Sequence, residues 1–300
     1  MFEYICRYLK INDVEYKKDF ELRNISAVKI GGSAKIVSYP DAEDKIISLV
    51  RFLKEIGCRY RVLGRMSNVL PPDEEFCGVI IRTDRLDFVN VEGESIFVGA
   101  GVSLPRIARI FANLGLSGFE ELAGIPGSSA GAVIGNAGAF GREISDVCAS
   151  ARCFMLDEET VEKISPQDMG FDYRTSNFKN ANCLVLSSEF KGKCSFASDV
   201  FARMRLCKEK RCKSQPIDKP SLGSTFKKPS QEISAGELID KCGLKGFAIG
   251  GAMISEKHAG FIVNTGNATA GDYISVADHA QKNVLEKFSI RLKKEIEILT

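Results

Sequence analysis

The sequence predicts an α+β fold of mixed short strands and few long helices. Three observations carry this. Strand-like alternation comes in short runs, near 60–63, 78–98 and 147–190. Helical patterns are few and have recognisable starts and stops. No internal repeat or low-complexity tract interrupts them.

Each element follows in chain order. Residues 1–19 predict an amphipathic helix with a charged tail, and 28–39 a bent strand pair around Gly31-Gly32. Pro40-Asp41 opens a helix that runs to Ile56, with Asp41 as its N-cap and Gly57 as its stop. Residues 60–63 form a strand, and GRMSNVLPP (64–72) a loop. Strands follow near 78–82, 88–91 and 95–98, the last two joined across Glu92-Gly93-Glu94. Ser103 caps a helix that ends near Leu114. A glycine-rich segment comes next, then alternation over 147–190 broken by the loop FDYRTSNFK (171–179). A boundary falls near 191–200, ahead of a basic helix over 200–212 and a loop, QPIDKPSLGSTFKKPS (215–230). Helices at 234–242 and 271–288 flank a glycine-interrupted segment, and 295–299 forms a terminal strand.

Composition narrows the function. Three hundred residues suit about two domains, and 44% hydrophobic with 27% charged residues is ordinary for a globular chain. A formal charge of +2, with both signs interleaved, argues against nucleic-acid or membrane-surface binding. Apolar runs fall short of the roughly 18 residues of a membrane span. The first twenty residues are too charged for a signal peptide, so a cytoplasmic protein is expected. The ten cysteines include no C-x-x-C pair and the chain has only two histidines, which predicts reduced, mostly buried thiols and no metal site.

The most informative segment is GFEELAGIPGSSAGAVIGNAGAFG, residues 118–141. Its spacing, Gly124, Gly127, Gly131, Gly135, Gly138 and Gly141, is neither G-x-G-x-x-G nor a Walker A loop. Small residues without cations suit a cradle in which backbone amides and helix N-termini hold the diphosphate of a large nucleotide. Close helix–strand packing is the plainer reading. A second loop, Gly64-Arg65-Met66-Ser67-Asn68, follows a strand and is placed to touch the same ligand. In Tyr173-Arg174-Thr175-Ser176 the arginine is suited to clamp a carboxylate, or to a surface ion pair. Pro220 and Pro229 bracket Gly223-Ser224, which puts a small hydroxyl in a restrained turn or an ordinary one.

Taken in order, NISAVKIGG, VLGRMSN, the 118–141 segment, FDYRTSNFK, QPIDKPSLGSTFKKP, AGELIDKCGLKGFAIGGAMISEKHAGFIVN and LKKEIEIL resemble the UDP-N-acetylenolpyruvoylglucosamine reductase family over nearly the whole chain. The family's enzymes are flavoproteins that complete UDP-N-acetylmuramate for the bacterial cell wall. The likeness is to a short form without an extra substrate-covering tyrosine loop. It implies a two-subdomain FAD-binding fold of the PCMH/vanillyl-alcohol-oxidase type, residues 1–75 and 76–195, plus a C-terminal α+β substrate-binding domain, 196–300. It implies FAD as cofactor, NADPH as reductant, a small-molecule UDP-sugar enolpyruvyl ether as substrate, no nucleic-acid or membrane partner, and a monomer. A divergent flavin oxidoreductase or a non-catalytic nucleotide-binding paralogue are the rival readings.

By motif, Arg174, Ser224 and Glu295 match the family's active-site arginine, proton donor and glutamate. The FAD-binding match comprises Gly64, Arg65, Met66, Ser67, Asn68, Gly124, Ile125, Pro126, Gly127, Ser128, Gly131, Asn136, Gly138 and Gly141. Tyr173, Lys213, Lys227 and Lys228 are expected at the substrate. The chain departs from the family pattern at Arg65, Met66, Ser128, Ser129, Ala130, Lys228, Met253 and Gly260. A Cβ in the 65–66 loop is expected to crowd the diphosphate or shift the local φ and ψ.

Overall fold

The structure, a computed structural model, describes residues 1–230 and 232–300. The chain separates into two units. One holds residues 1–18, 36–65 and 78–210; the other holds 19–35, 66–77 and 211–300.

The first unit is organised by strands whose apolar residues feed one core. Tyr60–Leu63 pairs in parallel with Phe76–Arg82, one of two inner strands of a sheet completed by Ser33–Tyr39 and Glu15–Glu21. The helix Glu43–Glu55 buries Ile46, Leu49, Val50, Phe52 and Leu53, the spacing of one helical face. A five-stranded antiparallel sheet runs in the order Val161–Ile164, Cys148–Met155, Cys183–Lys191, Ser95–Gly99, Val89–Glu92. The helix Leu104–Asn113 sends Ile107, Ala108 and Phe111 into the same core, where Phe119 meets Phe111 and Phe190 edge on or tilted.

The second unit is a smaller α+β layer. Its sheet runs Ser221–Ser224, Phe261–Asn264, Ala252–Ile254, Ala248–Ile249, all antiparallel. The helix Ala270–Phe288 buries Tyr273, Val276, Ala277, Ala280 and Val284 in a core shared with Leu222, Ile254, Ile262 and the helix Ala235–Lys241. Thr269 and Asp272 close a capping box at its start, and Asp73 accepts the amides of Ala270 and Gly271 at 2.7 and 3.0 Å.

Several expected elements are relocated. The N-terminal helix is Phe2–Ile11, and its charged tail is the largely exposed strand Glu15–Glu21. The strand pair expected over 28–39 is only the strand Ser33–Tyr39, because residues 22–30 form a 3-10 segment and turns. Ala42, not Asp41, occupies the N-cap; Asp41 pairs with Lys45 one turn on. The 64–72 loop holds a two-residue strand, Val69–Leu70, parallel to Glu297–Ile298. The loop expected over 215–230 contains the strand Ser221–Ser224. Its glycines and prolines masked an edge strand whose register shifts between Ser221 and Ser224. The basic helix is longer than expected, Ala197–Ser214. The thiols are all free, but only Cys6, Cys58, Cys148 and Cys153 are buried, while Cys77 and Cys194 are exposed.

Candidate functional site

In the first unit the glycine-rich segment opens into the short helix Ser129–Ile134, with Ser128 as N-cap. Sequence reading places anion binding partly at such a helix start. The first amides are spent inside the protein instead: Ser129 donates to the Val102 carbonyl at 2.8 Å, Ala130 to that of Ala100, and Gly131 to Ser128 Oγ. Donors for a ligand must therefore come from the loops on either side. Those loops are close. A Cβ at Gly64 would fall inside contact distance of Ser128 Oγ, with Thr83 Oγ1 3.9 Å away. Glycine at 64 is thus demanded by the tertiary approach of this position to Ser128. Thr83 is missed by sequence reading; its hydroxyl is buried without a hydrogen-bond partner among the described residues. A threonine at a strand end carries no signal of this kind.

Arg174 lies on a tight turn closed by reciprocal bonds between Asp172 and Thr175 at 3.1 Å. Its φ is +55°, the left-handed region that costs a non-glycine residue about 1 kcal/mol. Its Nη2 donates to the Gly138 carbonyl at 2.7 Å, and its Nη1 lies 3.3 Å from Glu143 Oε1. The Tyr173 ring stands 5.0 Å from the guanidinium carbon. Asn136, expected at the cofactor, is buried and spends its whole side chain here. Its Nδ2 donates to Glu143 Oε2 and the Asp172 carbonyl, and its Oδ1 accepts the Ser145 amide. Gly138 pairs with Glu143 in a two-residue ladder, and Gly141 turns the hairpin with φ +84°.

The second unit brings Ser224 and Glu295 together through one residue. Thr225 donates its amide to the Gly260 carbonyl at 2.8 Å, while its own carbonyl accepts the Glu295 amide at 2.8 Å. Thr225 Oγ1 and Tyr273 Oη are 2.9 Å apart. Burial pushes the Tyr273 phenol well above its ordinary range, so it stays neutral. Ser224 itself is exposed on the bulged edge strand, after Gly223 with φ +76°, and Glu295 is half-buried. Asn68 Nδ2 donates to the Glu295 carbonyl at 3.0 Å, and the Asn68 carbonyl accepts the Glu297 amide at 2.9 Å. The end of the GRMSN loop is therefore tied to the terminal segment that carries Glu295.

Met66 adopts φ +49°, the left-handed region that favours glycine, and its side chain is buried. The Lys227 amide donates to the Lys293 carbonyl at 2.9 Å, which places it beside the same terminal segment. Lys228 is exposed, and Lys213 is exposed in the last turn of the basic helix.

Residues 34–164 match the model of an FAD binding domain, and 215–299 that of the UDP-N-acetylenolpyruvoylglucosamine reductase C-terminal domain. The chain is 39% identical over 279 residues to the UDP-N-acetylenolpyruvoylglucosamine reductase of Fervidobacterium nodosum, covering 93% of this chain and 90% of that one. It is 39% identical over 284 residues to that of Bacillus subtilis, with coverage of 93% and 92%. The crystal structure of the corresponding reductase from Thermus caldophilus matches with a TM-score of 0.81 at 32% identity, over 96% of this chain and 99% of that one. No helix among the described residues is long and apolar enough to cross a membrane. An FAD binding domain followed by the reductase's own C-terminal domain, in relatives matched over nine-tenths of their length, leaves one conclusion: the chain belongs to the UDP-N-acetylenolpyruvoylglucosamine reductase family.

Proposed function

We propose that this protein reduces UDP-N-acetylenolpyruvoylglucosamine to UDP-N-acetylmuramate, with NADPH as reductant and FAD as bound carrier, in the cytoplasm and as a monomer. The observation that carries the reading is the junction in the second unit, where Thr225 ties the Ser224 strand to the Glu295 segment. It lies in the stretch that matches the reductase C-terminal domain. The division into FAD-binding residues 1–75 and 76–195 and substrate-binding residues 196–300 belongs to the same proposal.

The residues present fit the cofactor. Gly64 admits no Cβ against Ser128, and a buried hydroxyl at Thr83 stands nearby without a partner among the described residues, as expected where loops close over a ligand. Gly64, Arg65, Met66, Ser67 and Asn68, with Gly124–Gly131 and the 138–141 hairpin, would hold it. When bound, the flavin supplies the two-electron relay between nicotinamide and the vinyl carbon.

The chain's own groups then answer a specific difficulty. A vinyl ether accepts hydride poorly unless charge flows into the conjugated carboxylate. Arg174 stabilises that carboxylate as charge builds, which favours the transition state over the ground state. Ser224 gives its proton to the α-carbon; a hydroxyl is a weak acid, but the enolate it meets is strongly basic. Glu295 acts on the same developing charge. Tyr173 and Lys228 contact the substrate, and Lys213 and Lys227 meet the UDP diphosphate.

Ser224→Ala separates the two halves of the reaction. Flavin bleaching by NADPH should be unchanged, while reoxidation by the enolpyruvyl substrate slows by about 100-fold or more. Equal losses in both halves would contradict the role of Ser224.

A further inference from the structure

Glu143 is a carboxylate that the reaction above does not use, yet a dense set of contacts is built around it. Its Oε1 lies 3.3 Å from Arg174 Nη1, and its Oε2 accepts Asn136 Nδ2 at 2.9 Å. The same Asn136 amide reaches the carbonyl of Asp172, the residue that opens the Arg174 turn, at 3.1 Å. The Glu143 backbone is fixed as well, because its amide donates to Asp146 Oδ2 at 2.8 Å in a capping box. Across the hairpin, position 138 tolerates no side chain. A Cβ there would come 2.9 Å from Glu143 Cγ and 3.1 Å from Arg174 Nη1. Both Asn136 and Arg174 hold left-handed backbones, at φ +40° and +55°. A surface ion pair does not need two strained residues and a glycine to make room for it.

We propose that Glu143 is a positioning residue that aims the Arg174 guanidinium at the substrate's carboxylate. The inference rests on the reading of Arg174 as the group that meets that carboxylate. Glu143 occupies one terminal nitrogen and the Gly138 carbonyl the other, so the plane of the guanidinium is set before substrate arrives. Its negative charge also tempers the attraction of Arg174 for the ground-state carboxylate. Arg174 is then worth most when extra charge develops during reaction. Loss of Glu143 should accordingly appear in the rate of substrate reduction more than in substrate affinity.

The test uses FAD-loaded enzyme with Glu143→Gln, Glu143→Asp, Arg174→Lys and the double variant Glu143→Gln with Arg174→Lys. Flavin content, thermal midpoint, reduction by NADPH and reoxidation by the enolpyruvyl substrate are followed for each. Glu143→Gln should slow reoxidation roughly tenfold with KM nearly unchanged, Glu143→Asp should recover part of the loss, and the double variant should lose little beyond Arg174→Lys alone. NADPH reduction and flavin content should match the parent. Unchanged reoxidation in Glu143→Gln, or losses shared with NADPH reduction and flavin content, would overturn the positioning role. If Arg174→Lys itself leaves reoxidation intact, the assignment of Arg174 fails, and that result is distinct from failure of Glu143 alone.

Discussion

Position 64 is where a single missing methyl decides the site. The strand Tyr60–Leu63 delivers the chain to Ser128, and a Cβ at 64 would overlap the serine hydroxyl. The backbone there is not in the left-handed region, so the demand is for space alone. Gly64→Ala should destabilise the fold by about 1–2 kcal/mol and weaken FAD retention, and adding Ser128→Ala should restore much of both. Thermal midpoints and flavin release on dilution measure the pair; an uncorrected defect in the double variant would show that the clash lies elsewhere. Sequence reading reached this residue because glycine after a strand is conspicuous. It could not reach Glu143, which stands 31 residues from Arg174 in an unremarkable polar context. Nor could it show that Asn136 is a strut, since an asparagine in a glycine-rich stretch reads equally as a ligand donor.

Among elements, those with a strong period were legible and those set by tertiary pairing were not. The helices over 43–55, 104–113 and 270–288 declared themselves through one apolar face each. The strand Ser221–Ser224 did not, because two prolines and a glycine flank or enter it and its partner lies far along the chain. The helix Ala197–Ser214 was read as basic and exposed, and among its residues only Val200 is buried. An ion pair anchors one side of it: Arg203 Nη2 lies 2.6 Å from Glu120 Oε1, and Glu120 also accepts Ser117 Oγ and the Gly118 amide. Burial raises the Glu120 pKa, but these hydrogen bonds outweigh it and leave the carboxyl below its ordinary value. A carboxyl depressed in the fold stabilises above its unfolded pKa and loses that contribution as pH falls through the lower, folded value. Glu120→Gln should therefore cost about 2 kcal/mol at neutral pH and far less in acid, where the parent has also lost its charge. Thermal midpoints of both proteins across the acid range check this; a gap that persists below pH ~3 would contradict it.

At the scale of the molecule, the ordered motifs point to the same family as the matched domains, one over residues 34–164 and one over 215–299. Arg174 belongs to the first unit, Ser224 and Glu295 to the second, and each is held by bonds within its own unit. In the proposed reaction one protein takes hydride from NADPH, stores it on FAD and passes it to the enolpyruvyl sugar nucleotide. The most direct test is a single anaerobic trace of flavin absorbance on the purified, FAD-loaded protein, with NADPH added first and the enolpyruvyl substrate second. The absorbance should fall with NADPH and return in stoichiometric amount with substrate. A protein that takes up no flavin, or one whose reduced flavin is not reoxidised by the substrate, would contradict the claim.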